Sequence, residues 1–289
     1  MNDNDWLFLK ILSEEKNITK AAKKLYVSQP ALTEKIKKIE KQFKIQLIIR
    51  HPRGIEFTPE GEIIVDYAKR SLDELRKTYD LLSSMEKEVS GNLRIACSNV
   101  FAKYHLPQLL SKFHEAYPKA EIHFMSGYSQ NLYQQFLSGN AQLAIVRGDH
   151  LWNEGKHLLW QEPLCLFSAE PVDLKNLPSL PYIRYNTDPP LQAIYDDWWY
   201  NHFTVKPNTV TEVDALDTCM KLVSYKLGYT LLSESCGIDM PHLYKYPLTT
   251  QKGDIIYRKT WLYHRHNYQN ISVVKAFIDL LLASYPPIG

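Results

Sequence analysis

Apolar positions in the first ninety residues recur at helical spacing. Trp6, Leu7, Leu9, Ile11 and Leu12 predict a first helix, ended by the polar run 13–17. A second helix follows, with Thr19 as its expected cap and Ala21, Ala22 and Leu25 as a small inner face that another helix can approach closely. In Val27-Ser28-Gln29-Pro30, Ser28 suits an N-cap, and the proline falls in the first turn, where a missing N–H is harmless. A third helix therefore starts near Gln29. Leu32, Ile36 and Ile39 form its inner stripe, with Thr33, Lys35, Lys37, Lys38 and Lys41 on other faces. Two short helices and a tight turn, the second helix basic outside, read either as a helix-turn-helix that enters the major groove or as a basic surface helix of an ordinary bundle. The runs 46–50 and 55–57 around Pro52-Arg53-Gly54 predict a small hairpin carrying Arg50 and Arg53, a wing suited to the backbone or minor groove.

Thr58-Pro-Glu-Gly opens a long helix in which Ala68, Leu72, Leu75, Tyr79 and Leu82 are spaced as a heptad seam, as a two-stranded coiled coil requires. Packing of that helix on its own domain is the alternative. A dimer would place two recognition helices on a roughly palindromic operator. Gly91 ends the helical pattern. Strands are expected over 93–98, 121–126, 143–147, 164–168 and 182–185, and helices over 106–117, 132–138, 191–203 and 216–226, with an amphipathic helix near the C-terminus. This α/β alternation implies parallel sheets flanked by helices, with a ligand at the strand ends. By position, that rule nominates Ser98, Asn99 and the adjoining Val100, then Gly127 with Tyr128, Ser129 and Gln130, then Arg147 with Gly148.

Composition narrows the function classes. The 289 residues include 34 Lys and Arg against 32 Asp and Glu, a net charge of +2 that excludes a uniformly basic nucleic-acid coat. Residues 1–60 alone carry twelve Lys and Arg against eight acids, a balance of +4, and the remainder sums to −2. The positive excess lies where phosphate would be met. Neither a signal-peptide pattern nor an apolar run long enough for a membrane span is present, which predicts a cytoplasmic protein with no membrane partner. Four scattered cysteines and the unclustered histidines, His264 and His266 among them, predict no metal site, no cofactor and reduced thiols. The cluster Trp198, Trp199, Tyr200 reads as core and lobe surface rather than a cofactor box.

The segment AAKKLYVSQPALTEKIKKIEKQFKIQLIIRHPRGIEFTPEG resembles the winged helix-turn-helix signature of LysR-type transcriptional regulators over about forty residues. The resemblance implies that Ser28, Gln29, Pro30, Ala31 and Thr33 stand at the major groove, and that Lys35, Arg50 and Arg53 lie near phosphates or the minor groove. It implies that the long helix is the dimerisation linker, in a homodimer or homotetramer. Glu34 departs from the family, which often has a basic residue there; its role stays open. Further on, GNLRIACSNVFAKYHLPQLLSKFHEAYPKAEIHF, SGNAQLAIVRG and LVSYKLGYTLLSES are similar to family segments, with Gln142, Tyr225 and Ser233 departing from the pattern.

The implied organisation is a DNA-binding domain over 1–58, a linker helix over 59–90 and a periplasmic-binding-protein-like effector domain over 91–289. Lobe I would comprise 91–160 and 267–289, and lobe II 161–266. A strand-end arginine recognises carboxylate by forked bonds, so Arg147, with Arg258 from the run 254–263 and hydroxyls of Ser98 and Ser129, is expected to hold a small carboxylate. Alternatively, either arginine bridges a nearby acid such as Asp149 or Asp254. The loops are most similar to the citrate-responsive catabolite-control subgroup of Gram-positive LysR-type regulators. Other readings are a solute-binding protein or small-molecule enzyme on the same two-lobed architecture, opposed by the missing export signal and by the lack of a catalytic constellation, and a redox sensor using Cys219 and Cys236.

Overall fold

The computed structural model describes residues 1–84 and 88–285, which fall into two compact units, 1–82 and 83–289. In the first unit, α1 (Asp3–Glu15), α2 (Ile18–Lys24) and α3 (Gln29–Phe43) precede a hairpin of β1 (Ile48–His51) and β2 (Gly54–Phe57), then α4 (Pro59–Ser84). Asn17 rather than Thr19 caps α2, accepting from Lys20 N at 3.0 Å. Ser28 caps α3, with Pro30 in its first turn. Phe8, Leu9, Leu12, Ala21, Leu32, Ile36, Ile39, Leu47 and Ile55 close one core against Ile64 and Ala68 of α4. Ala68 thus belongs to its own unit, while Tyr79 and Leu82, later members of the heptad, are exposed.

Gly54 shows why the wing needs glycine. Its φ is +148°, and a Cβ there would stand 2.4 Å from the carbonyl oxygen of Lys16. The Lys16 carbonyl accepts from Ile55 N at 2.9 Å.

The second unit begins with β3 (Gly91–Ser98), α5 (Asn99–Tyr104), α6 (Leu106–Ala116), β4 (Ala120–Gly127), α7 (Ser129–Leu137) and β5 (Leu143–Arg147). Next come β6 (Gly155–Ser168), β7 (Pro181–Tyr185), α8 (Pro189–His202), β8 (Asn208–Val213), α9 (Leu216–Ser224) and β9 (Thr230–Ser233). The chain closes with β10 (Tyr244–Pro247), β11 (Tyr257–His264) and α10 (Ser272–Ser284). Lobe I is built on parallel β4-β3-β5 and buries Leu93, Ile95, Phe101, Phe113, Ile145, Val274 and Phe277. Lobe II buries Leu164, Leu166, Tyr195, Trp198, Trp199 and Leu231 in one cluster, and Cys165, Phe167, Cys219 and Val223 in another.

The sheets are mixed, which corrects the expectation of parallel sheets. β11 runs antiparallel to β5 and β6, and β6 runs antiparallel to β9 and β10, whereas β3 pairs in parallel with β4 and β5, and β7 with β8. The lobes share β6. Its first part pairs with β11 up to Pro163, and Leu164 onward pairs with β9 and β10. A proline has no N–H for the ladder, and the partner exchange falls beside it.

Gln142 shows how one departure from the family pattern is absorbed. It is buried, accepts from Arg94 N through Oε1 at 2.8 Å, and donates its own N–H to Arg94 O at 2.9 Å.

His264 is fully buried, its Nε2 lying 3.2 Å from Nε2 of His157. A Cβ on Gly155 would come within 1.9 Å of the His264 ring. Gly155→Ala is therefore expected to destabilise the second unit by about 1–3 kcal/mol, the usual cost of overpacking, read from urea unfolding midpoints.

Burial depresses the pKa values of His105, His150, His157 and His264. The folded form keeps these rings neutral, whereas the unfolded chain protonates below about pH 6.5. Stability present above that pH is lost as pH falls through it. Unfolding curves at pH 7.5, 6.5 and 5.5 should show a progressive loss, and an unchanged midpoint would refute the sign.

Candidate effector cleft and DNA-facing helix

In the first unit, Ser28, Gln29, Pro30 and Ala31 are exposed at the start of α3, and Thr33 is half-buried. Gln29 Oε1 accepts from Thr19 Oγ1 at 3.3 Å, so α2 helps to orient it. Lys35 points back to Asp5 at 2.8 Å and lies over the Phe8 ring, so its charge is partly spent inside the unit. Arg50 and Arg53 are exposed on the wing. Glu34 pairs with Lys37 at 2.8 Å, and that bond lowers its pKa. The pair cancels one charge of each sign.

In the second unit, a cavity of about 50 Å³ lies between the lobes, lined by Ser98, Asn99, Val100, Tyr128, Ser129, Arg147 and Arg258. Gln130 is not among its walls and is exposed, because the residue after Ser129 on α7 turns outward. Lobe II supplies walls that strand-end reasoning missed, chiefly Thr187, Asp188, Tyr195 and Ser233. Tyr128 bridges the lobes by donating from its hydroxyl to Asn186 O at 3.1 Å.

Both arginines carry carboxylates, though not the expected ones. Arg147 Nη2 donates to Glu162 and its Nη1 donates to Ser233 Oγ at 2.5 Å. Glu162 also accepts from Ser235 N at 2.7 Å and Ser235 Oγ at 2.5 Å. Arg258 Nη2 reaches both oxygens of Asp188, at 3.1 and 3.2 Å. Asp149 pairs with Lys156 instead, which faces it from the start of β6. Asp254 lies in the exposed turn before β11, where its backbone N–H donates to Thr250 Oγ1 at 3.2 Å. Burial and the charge of Arg147 together depress the pKa of Arg258, so the guanidiniums feel each other.

Donors remain for a ligand. Arg147 Nε and the Tyr195 hydroxyl are buried without a hydrogen-bond partner. Ser129 Oγ accepts from Arg147 N at 3.1 Å, which leaves its own proton to donate. No side chain caps α7 or α9, whose first residues, Ser129 and Leu216, face the cavity. Helix N-termini of this kind favour an anion.

The thiols are unsuited to redox sensing. All four cysteines are buried, and burial pushes Cys219 up to about 11 and Cys236 up to about 12. A reactive thiol needs the opposite shift. Among the described residues no His, Cys, Asp and Glu cluster could hold a metal, and no helix is long and apolar enough to cross a membrane. Trp198 and Trp199 are core residues, and Tyr200 is exposed.

Comparison with known proteins gives the family. The LysR substrate binding domain matches residues 86–286, and the bacterial regulatory helix-turn-helix of the lysR family matches residues 4–62. The chain belongs to the LysR family. It is 41% identical to the uncharacterized HTH-type transcriptional regulator YraN of Bacillus subtilis, over 97% of each chain. It is 28% identical to YkuM of the same species, over 94% of each. By fold it is similar to full-length CbnR in complex with its target DNA, at TM-score 0.64 and 17% identity over 98% of this chain and 100% of that one. Full-length OxyR of Pseudomonas aeruginosa matches at TM-score 0.64 and 18% identity, over 98% and 95%. As a LysR-type regulator the chain binds DNA through its helix-turn-helix, carries a two-lobed effector-binding domain, and is not an enzyme.

The buried ion pair in the cleft makes a clear expectation. Glu162→Ala strands the Arg147 charge in the interior, and should destabilise the second unit by about 3–5 kcal/mol in a denaturant titration.

Proposed function

We propose that this LysR-type regulator binds its operator as a homodimer and is switched by a small carboxylate held between Arg147, Arg258, Ser98 and Ser129. The domain boundaries 1–58, 59–90 and 91–289 go with this reading. The observation that carries it is the convergence of two guanidiniums, unspent donors and two uncapped helix starts on one interlobe cavity. Glu162 and Asp188 already neutralise the two arginines, which favours a ligand with one or two carboxylates over the citrate trianion. Such a ligand regulates only by preferring one lobe arrangement over another.

On the DNA side, Ser28, Gln29, Pro30, Ala31 and Thr33 present the groove-facing end of α3, with Arg50 and Arg53 on the wing. The heptad spacing of α4, whose later members Tyr79 and Leu82 are exposed, supports pairing with a second copy.

Two measurements test this reading. Affinity for the protein's own promoter region should fall linearly in log–log with salt as counterions are released. Gln29→Ala should cost about 1–3 kcal/mol on the specific site, and Arg53→Ala should reduce the salt slope by about one. Calorimetric titration of acetate, malonate, succinate and citrate should show saturable heat that weakens in Ser129→Ala and Arg258→Gln. Arg147→Ala is a poorer probe because it strands Glu162. Silence from every carboxylate would remove the effector proposal and leave DNA binding standing.

A further inference from the structure

The helix α3 contains two acids with opposite surroundings. Glu40 is half-buried and accepts from Leu47 N at 2.9 Å, so it fastens the helix to the start of the wing. Glu34 instead stands in water, its side chain 63% exposed, with Lys37 Nζ at 2.8 Å. At about 100° per residue, Pro30, Glu34, Lys37 and Lys41 fall opposite the buried stripe of Leu32, Ile36 and Ile39. Glu34 follows Ala31 by three residues and Pro30 by four, which continues the exposed first turn of α3 by one further turn.

A carboxylate on the outward face of such a helix is repelled by phosphate and needs a compensating contact. Lys37 relieves part of the repulsion through its hydrogen bond to Glu34 and its charge, and Lys38 adds its own charge; together they lower the pKa of the carboxyl and keep it ionised. The group is then an acceptor with no proton to donate. On the floor of the major groove guanine presents acceptors at N7 and O6, and thymine presents one at O4. Adenine sets an acceptor at N7 beside its N6 donor, whereas cytosine offers its N4 amino group. A carboxylate therefore matches cytosine and is opposed, to different degrees, by the other three bases.

We infer that Glu34 is a specificity-determining residue that accepts a hydrogen bond from the N4 amino group of a cytosine in each operator half-site. The inference rests on the reading that places the start of α3 in the major groove. Its effect falls on discrimination more than on affinity, because the same charge that rewards one base penalises its competitors.

Selection from a random-sequence duplex pool by the full-length protein tests this, with Glu34→Ala, Glu34→Gln and Gln29→Ala run beside wild type. Wild type should enrich a motif with one cytosine per half-site whose replacement lowers affinity about tenfold. Glu34→Ala should enrich the same motif with that position unconstrained. Glu34→Gln should move the preference there to adenine, which a side-chain amide reads at N6 and N7. Gln29→Ala should leave the cytosine in place. Glu34 is exposed, so its replacements leave folding intact, which a melting curve verifies. Unchanged base preferences in both Glu34 variants overturn the inference. So does a change in affinity that is equal for all four bases at every position, which would make the carboxylate a source of bulk charge alone. A wild-type protein that enriches no motif overturns the major-groove reading and this inference together.

Discussion

The effector domain depends on one buried ion pair. Arg147 ends β5 in lobe I, and Glu162 lies on β6 one residue before the strand leaves lobe I for lobe II. Neither group tolerates burial alone, so each fixes the other. Glu162 also holds the turn at Ser235, and Arg147 holds Ser233. A single carboxylate therefore ties the strand end of lobe I, the crossing strand and the β9 end of lobe II to one point. Opening of the cleft must pivot about that point or break it.

The second arginine is held less deeply. Arg258 binds Asp188, which also accepts from Leu191 N at 3.4 Å as the cap of α8. Loss of Arg258 would leave the buried Asp188 with its helix-capping bond alone, so this pair too resists separation.

Much of this was legible in the residues. Ser28 with Pro30 marks the start of α3, the Pro52-Arg53-Gly54 turn marks the wing, and the strand-end rule points to Ser98, Ser129 and Arg147, which line the cleft. What stayed hidden has physical causes. β8 is polar and largely exposed, so it carries no apolar signal. The first part of β6 was missed because Gln161, Glu162 and Pro163 interrupt its apolar run, and those are the residues at the lobe crossing. Ion-pair partners distant in sequence cannot be ranked from spacing, which favours neighbouring Asp149 and Asp254 over the actual partners Glu162 and Asp188. Asp188-Pro-Pro did carry a signal, an N-cap followed by first-turn prolines, and it marks where a helix start meets the cleft.

The contact between Gly54 and Lys16 bears on how an operator would be read. Lys16 closes α1 in the left-handed region, at φ 46°, and its carbonyl holds the wing through Ile55. The wing is thereby fastened to the corner from which the recognition motif springs. The backbone that carries Arg53 is then fixed relative to α3, and on the proposed DNA-binding reading the separation of recognition helix and wing is set before DNA arrives. A site with altered separation between those two features must bend to fit, so the deformability of its intervening base steps becomes part of the recognised sequence.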